Sequence, residues 1–453
     1  MPKRKQVFNN RGDNELFRDE WEDVVLAPKI DLLQHVGINL GDLPKKVYDF
    51  IKIRPEDLEL FSEENGRTYL PFPRDPTSIV FSDKDSSFQV PQCESYPIRD
   101  KLNEKFGYIL NFGGSVWALE WCPNISSPGE QYLAIGGYKS SVDEHHPIGR
   151  KQKTDLNQAI QIWKINCSID NFAMEEEENQ TFINKPKLDM VICHEYGCVF
   201  DMQWCPYGIL AVSFGNGTIG IFSIPKPDSI RKYFGEPLDS MKPIYELSLP
   251  QTMCWTVSWG GHYKISTGCT NGDIATWNIF DILKQKYVNN VFDDPEVTYP
   301  INYMRAHDSC IRQIVWNSPT SPSHTLSCGH DGRLQIIEDR DPMFKNMFQR
   351  IRDFMSTVCW PCHYGGIVYA DSDNTVRYIR MDDLRKTTGL IMHHANVWAP
   401  VTWYRIGFKE DEVTVRYYHN IKSKETTGTY HNAESFTSGG TLGLVRVDSV
   451  HRK

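Results

Sequence analysis

The sequence lacks any run of eighteen or more apolar residues, and no apolar stretch follows its basic start, MPKRKQVFNNRGDNELF. It reads as having neither a membrane span nor a secretory signal. A cysteine framework is missing as well. The twelve cysteines are scattered singly through apolar segments, which in a chain without an export signal implies reduced thiols in the cytosol or nucleus. Excess basic charge is also absent: the formal net charge is −9, which argues against a protein that coats nucleic acid by bulk electrostatics. The imbalance is uneven, because residues 376–453 hold 12 basic and 8 acidic side chains, a surplus of +4, leaving −13 over residues 1–375. Contact with a polyanion is therefore expected toward the C-terminal end.

The signatures of catalysis are equally scarce. No phosphate-cradling glycine loop, no GxSxG elbow and no dinucleotide fingerprint occurs. The pair Cys359-Trp360-Pro361-Cys362 has the spacing of a redox or zinc element, but a zinc site needs a second pair and a redox site needs a helix start. Neither is visible, so the two are read as strand thiols. His194, in HEYGC, lacks the second histidine of a metalloprotease helix. The expectation is a protein that is not an enzyme and takes no metal or cofactor.

What is present is an internal repeat. VWALEWCP from Val116, VFDMQWCP from Val199, CWTVSWGG from Cys254 and IRQIVWNS from Ile311 share one pattern ending at Trp121, Trp204, Trp259 and Trp316. Weaker copies end at Trp360 and Trp403, and the spacings of 83, 55, 57, 44 and 43 residues approach the ~40–45 residues of a four-stranded propeller blade. The longer gaps must hold insertions. A tight-turn pair follows most of these tryptophans: Asn216-Gly217, Asn271-Gly272, Asp331-Gly332 and, less perfectly, Asp373-Asn374. Such pairs suit two-residue hairpins in which both central residues take positive φ. Five residues after the glycine comes a bulky side chain, Phe222, Trp277 or Ile337, in stretches that alternate like strands with one buried face. Histidines precede some repeats, at His194, His307 and His394. They sit where a WD repeat has a histidine bonded to the turn aspartate, and His307 with Asp331 fits that role best.

These marks predict an all-β, WD40-type β-propeller of seven blades, some degenerate, over residues 106–448. The stretch FGYILNF is expected to supply the strand that closes the ring against the last blade, around SFTSGGTLGLVRVD, removing exposed sheet edges. Residues 1–105 read as an extended charged arm with short helices at Leu43–Ile53 and Pro55–Glu64 and with patches that dock on a surface; residues 449–453 form a basic tail. The four glutamates from Glu175 read as a solvated loop.

Several strings carry a more specific likeness. GGSVWALEWCP (Gly113 to Pro123), HEYGCVFDMQWCPYGILAVSFGNGTIGIFSIPKP (His194 to Pro227), NGDIATWNIFD (Asn271 to Asp281), RAHDSCIRQIVWN (Arg305 to Asn317), CGHDGRLQIIEDRDP (Cys328 to Pro342) and SGGTLGLVRVD (Ser438 to Asp448) resemble, in the same order, the WD-repeat beta subunit of the RNA polymerase III transcription factor TFIIIC. The likeness covers about three quarters of the chain. It implies a nuclear, non-catalytic scaffold that joins the largest TFIIIC subunit and a second WD-repeat subunit in recognising internal promoters of transfer RNA genes, after which TFIIIB is recruited. A general WD40 adaptor, such as a ubiquitin-ligase receptor or a cytoplasmic scaffold, is the alternative. The insertions Lys139 to Thr154, Asn171 to Lys187, Pro225 to Pro243 and Leu283 to Pro300 are the expected recognition elements. Arg377, Arg380, Arg385, Lys386, Arg405 and Arg416 are the candidate contacts to a nucleic-acid backbone, beside the reading of a solvated rim.

Overall fold

In the computed structural model the described residues are 42–51, 66–71, 77–80, 87–97 and 107–388, with breaks in the last span at 123–129, 140–145, 154–155, 167–184, 206–207, 225–242, 290–297, 318–322, 344, 353, 360–365, 372–375 and 381–386; residues 414–421, 432–439 and 444–450 follow. Helix α1 covers Asp42–Phe50. Strands β1 (Thr77–Val80) and β2 (Ser87–Val90) pair with each other and precede β3 (Ser95–Pro97) and β4 (Gly107–Asn111).

From there the chain lays down one antiparallel sheet after another. The first holds β5 (Ser115–Cys122), β6 (Glu130–Tyr138), β7 (Gln158–Asn166) and β8 (Lys187–His194). β9 (Val199–Trp204), β10 (Ile209–Phe214), β11 (Ile219–Ser223) and β12 (Tyr245–Leu247) make the second. In the third are β13 (Cys254–Gly260), β14 (Lys264–Cys269), β15 (Asp273–Asn278) and, beyond helix α2 (Ile279–Asn289), β16 (Asn302–Arg305). The fourth comprises β17 (Ile311–Trp316), β18 (His324–Gly329), β19 (Arg333–Glu338) and β20 (Lys345–Arg350); the fifth, β21 (Met355–Cys359), β22 (Gly366–Asp371), β23 (Val376–Arg380) and β24 (Thr387–Thr388). β25 (Thr414–Ile421), β26 (Asn432–Gly439) and β27 (Leu444–Val450) continue through β4 to β3 in a sixth sheet of five strands. The described residues thus build six sheets of four or five strands, where the repeat marks led to an expectation of seven blades. The protein is all-β, and β4 lies antiparallel to β27, with Gly107 opposite Asp448 and Asn111 opposite Leu444.

The leading strands of successive sheets pack side by side: β5 on β9, β9 on β13, β13 on β17, β17 on β21, β21 on β25, and β25 on β5. This stacking covers both faces of many strands. β10, β11, β13 and β17 are buried at every residue, so the one-buried-face reading of TIGIFSI gives way to a strand enclosed by neighbouring sheets, as sheet-on-sheet packing requires. The apolar clusters lie between neighbouring sheets. Leu210, Val212 and Phe222 of the second sheet meet Ala134, Ile160 and Ile162 of the first, while Ile274 and Met304 of the third meet Ile311, Ile314 and Ile337 of the fourth. Each such buried side chain contributes about 1.5–3 kcal/mol relative to exposure.

The β-hairpin turns differ from the expected type. Gly217, Gly272 and Gly332 have φ of 89°, 94° and 69°, but Asn216, Asn271 and Asp331 do not share that region; Cys93 is the one non-glycine residue with positive φ among the described residues. The Gly217 amide closes on the Phe214 carbonyl at 2.9 Å, Gly272 on Cys269 at 3.1 Å and Gly332 on Gly329 at 3.1 Å. This is a turn with a left-handed glycine in last place, the three-residue-loop solution with a bulge. The Asn or Asp is there because its side-chain oxygen reaches past the glycine. Asn216 Oδ1 accepts from the Thr218 amide at 3.0 Å, Asn271 Oδ1 from Asp273 at 3.1 Å, and Asp331 Oδ1 from Arg333 at 3.1 Å. That Asx bond serves a residue with negative φ.

The described pieces of the N-terminal region dock on three different places. α1, with Pro44 in its first turn where a missing N–H costs little, presents Val47 and Tyr48, with Ile51 just beyond its end, to the seam between the second and third sheets beside α2. Tyr48 donates its hydroxyl to the His262 carbonyl, and Phe50 meets Tyr287 of α2 edge-on at 5.4 Å. Tyr69 and Leu70 pack on Ala159, Val191 and Cys193 of the first sheet. β3 joins the sixth sheet. The sequence-predicted helix at Leu43–Ile53 thus corresponds to α1; Pro55–Glu64 lies outside the described residues.

Candidate functional site

The repeat tryptophans occupy equivalent places. Trp121 pairs with Leu133, Trp204 with Leu210, Trp259 with Ile265 and Trp316 with Thr325, and all four are 3–7% exposed. They are framework. The residue before the tryptophan also ties one sheet to the next: Gln203 Oε1 accepts from the Trp259 amide at 2.6 Å, and Ser258 Oγ from the Trp316 amide at 3.2 Å. The third strands repeat similarly, with Phe222, Trp277 and Ile337 opposite Leu210, Ile265 and Thr325. Trp163, opposite Leu133, is the first-sheet member of that set. Sequence spacing missed it because the long β6–β7 connection displaces it, although the alternation of QIWKIN carried the signal.

His307 is fully buried and bonds on both ring nitrogens, Nδ1 to Asp331 Oδ1 at 2.9 Å and Nε2 to Ser327 Oγ at 2.8 Å. The second oxygen of Asp331 accepts from the Asp308 amide at 3.1 Å. Partial burial works to raise the Asp331 pKa, but the bonds from His307 and from the Asp308 and Arg333 amides outweigh it and hold the carboxyl down at about 2. His194, by contrast, faces a turn with Asn216. Its ring lies near-parallel to that of Tyr196 at 6.2 Å and tilted against that of Phe214 at 4.7 Å, it accepts a long 3.4 Å bond from the Tyr196 amide, and burial drives its pKa down to about 3. Neither histidine is arranged for catalysis. His394 and Trp403 lie outside the described residues, as does Trp360.

Two layers across the leading strands were not singled out from the sequence. Four positions before the repeat tryptophans stand Trp117, Phe200, Trp255 and Arg312. The Phe200 and Trp255 rings stack at 4.0 Å, and the Arg312 guanidinium lies 5.0 Å from the Trp117 ring and 5.1 Å from that of Trp255. Arg312 is 6% exposed, so a cation is enclosed by aromatic faces where its attraction to the ring quadrupoles is weakly screened. One position on, Asp201 Oδ2 accepts from Thr256 Oγ1 at 2.5 Å, the Val257 amide at 3.1 Å and Gln313 Nε2 at 2.6 Å. Thr357 Oγ1 extends the chain to Gln313 Oε1 at 3.2 Å. Four sheets are thereby joined through one buried polar row. The constant offset from the repeat tryptophans was the available signal for both layers.

Among the described residues no group of three or more His, Cys, Asp or Glu side chains could hold a metal ion. Nine cysteines, from Cys93 to Cys328, are free thiols. Burial pushes Cys93, Cys122 and Cys198 up to about 12 and Cys310 to about 11, so they are poor nucleophiles near neutral pH. Cys359 ends β21, and Cys362 lies outside the described residues.

Of the candidate recognition residues and insertions, Arg377 and Arg380 lie on β23 and Arg416 on β25; Arg385, Lys386 and Arg405 fall outside the described residues, as do most of Asn171–Lys187 and Pro225–Pro243. Leu283–Pro300 is not all loop. Asn278 caps α2 by accepting from the Asp281 amide at 3.3 Å, and Leu283 is fully buried in the seam that receives α1. Beyond α2, Tyr299, Ile301 and Tyr303 are 81%, 61% and 51% exposed, and in their alternation Met304 turns inward.

No family model matches the chain. It is 24% identical over 322 residues to "Transcription factor tau subunit sfc6" of Schizosaccharomyces pombe, a match covering 69% of this chain and 49% of that protein. It is 23% identical over 314 residues to human "General transcription factor 3C polypeptide 2", covering 61% of this chain and 33% of that one, and 24% identical over 315 residues to the Pongo abelii protein of the same name. The chain spans a third to a half of the length of these curated relatives.

Proposed function

We propose that this relative of the factor tau and general transcription factor 3C subunits is a propeller scaffold in a TFIIIC-type complex, acting in the nucleus in RNA polymerase III transcription. Its role is to hold other subunits, foremost a largest DNA-binding subunit and a second WD-repeat subunit, so that internal promoters of transfer RNA genes are recognised. The observation that carries this reading is the alignment with three such subunits over 61–69% of the chain. The fold in this proposal is a closed ring over residues 106–448, supported by the packing of β25 on β5 and by the β4–β27 pairing. Closure leaves no open sheet stack at either end. Function then resides in the loops and rim, with Arg377, Arg380, Arg385, Lys386, Arg405 and Arg416 as auxiliary phosphate contacts.

The test is affinity purification of the tagged chain from nuclear extract. TFIIIC subunits should co-purify in defined proportion, and deletions within Pro225–Pro243 and within 290–297 should weaken that recovery while leaving the folded chain intact. Recovery of ubiquitin-ligase or cytoskeletal components in their place would reject the proposal.

A further inference from the structure

The connection from β6 to β7 carries a basic cluster in the acidic part of the chain. Arg150, Lys151 and Lys153 are exposed, while Gln152 between them is 5% exposed. Gln152 anchors the loop in the second sheet's turn region: its amide donates to the Gly215 carbonyl at 2.7 Å, and its Oε1 accepts from the Cys198 amide at 2.9 Å. A turn precedes it, closed by Arg150 N to Pro147 O at 3.1 Å, with Gly149 at φ 86° and Ile148 exposed at its tip. The Lys151 stem lies over the Asn216-Gly217 turn, where a Cβ on Gly217 would stand 3.0 Å from Lys151 Cε.

Three cations are therefore held on a pinned backbone. Among the described residues none of the three forms an ion pair. Glu195, the exposed acid on the adjoining β8–β9 connection, is engaged by the Tyr69 hydroxyl at 3.1 Å. On the turn of the fourth sheet, by contrast, Arg333 is neutralised by Asp308 at 2.6 Å. Like charges held close together repel one another, and solvation or an anionic partner offsets that repulsion. Fixing the backbone lowers the ordering cost of binding.

We propose that Arg150, Lys151 and Lys153 form a contact site for the phosphodiester backbone of duplex nucleic acid, read without base specificity. A nucleic acid suits the site better than an acidic protein segment, because the loop offers clustered charge and, among its described residues, Ile148 as the one exposed large apolar side chain. The proposal rests on the function proposed above and deepens it by adding, on the β6–β7 connection, a second backbone contact apart from the C-terminal arginine set.

The test uses the full 453-residue chain and a fluorescent DNA duplex of arbitrary sequence, with binding followed by anisotropy between about 50 and 200 mM salt. The combined Arg150→Gln, Lys151→Gln, Lys153→Gln variant should lower the log–log salt slope by up to about 2.7, at about 0.9 for each phosphate no longer neutralised. Combined Arg340→Gln, Arg350→Gln and Arg352→Gln, removing the same charge from other exposed positions, should leave the slope nearly unchanged. Thermal melts establish that both variants fold. Absence of duplex binding by the unaltered chain, equal slopes for all three proteins, or competition by polyglutamate as effective as by unlabelled duplex would overturn the site. Co-purification of TFIIIC subunits reads the scaffold function separately, so failure of one is distinguishable from failure of the other.

Discussion

His307 Nδ1 and Asp331 Oδ1 stand 2.9 Å apart, joining the connection before β17 to the β18–β19 turn. Asp331→Ala would leave His307 and the Asp308 and Arg333 amides short of an acceptor and should cost about 2–3 kcal/mol in urea unfolding. Asp331→Asn keeps the turn bond, as Asn271 does in the third sheet, and should cost about 1 kcal/mol. Equal losses would mean that the charge contributes nothing. Because the folded pKa is depressed to about 2, the Asp331 contribution is present above the unfolded value of about 3.9 and is lost as pH falls through the folded one.

His194 sets a second pH dependence in a higher window. Its folded pKa of about 3 lies below the ordinary 6.5, so between those values the unfolded chain binds the extra proton. Stability should fall by about 1.4 kcal/mol per pH unit as pH drops from about 6 to 4. His194→Phe, which preserves the ring contacts with Tyr196 and Phe214, should flatten that part of the profile. An unaltered slope would assign it to other groups.

Asp201 is the hub of the buried polar row, and Asp201→Ala strands Thr256, Gln313 and two backbone amides at once. With several buried donors each left short of an acceptor at about 1–3 kcal/mol, the expected loss is about 3–5 kcal/mol, seen as a large drop in the denaturation midpoint. Thr357→Val, at the far end of the row where the hydroxyl donates to Gln313, should cost no more than about 1.5 kcal/mol. Similar losses at both ends would show that the row is not hierarchical.

Tyr48 reports the docking of α1. Tyr48→Ala removes a fully buried ring and should destabilise by about 3–5 kcal/mol if α1 unfolds together with the sheets. If the helix detaches by itself, proteolysis near residue 50 will rise while the main transition stays in place. A variant that is neither destabilised nor more readily cleaved would contradict the packing of α1 in this seam.

Much of the all-β organisation was legible because it repeats. Trp121, Trp204, Trp259 and Trp316 recur in one register, and the spacing of His307 and Asp331 pointed to their contact. What one chain position says about itself was the weaker guide. Asn216-Gly217 suggested a two-residue turn, but the Asx bond to Thr218 fixes a longer loop that composition alone does not distinguish. Arg312 was overlooked because a guanidinium breaks the aromatic pattern of Trp117, Phe200 and Trp255, and its burial depends on partners contributed by other sheets. A short helix at Leu43–Ile53 was expected and α1 is there, but its seat was not legible, since His262 and Leu283 lie more than two hundred residues away. For the candidate surfaces, net charge drew attention to the C-terminal end, whereas the exposed cations around Gln152 stand out only once that side chain is seen pointing inward.

The pairing of β4 with β27 gives the chain an assembly problem in time. Gly107 waits for Asp448, so on a ribosome the sixth sheet must remain a fragment until nearly everything between those residues has been made. α1 likewise emerges long before the third sheet that receives it. Nascent chains therefore expose adhesive edges during translation, and their exposure ends only when the late strands arrive. Holdase chaperones that shield unpaired β-strands would find their longest engagement here, and a truncated message ending before β25 should yield an aggregating product even though its first five sheets are encoded in full.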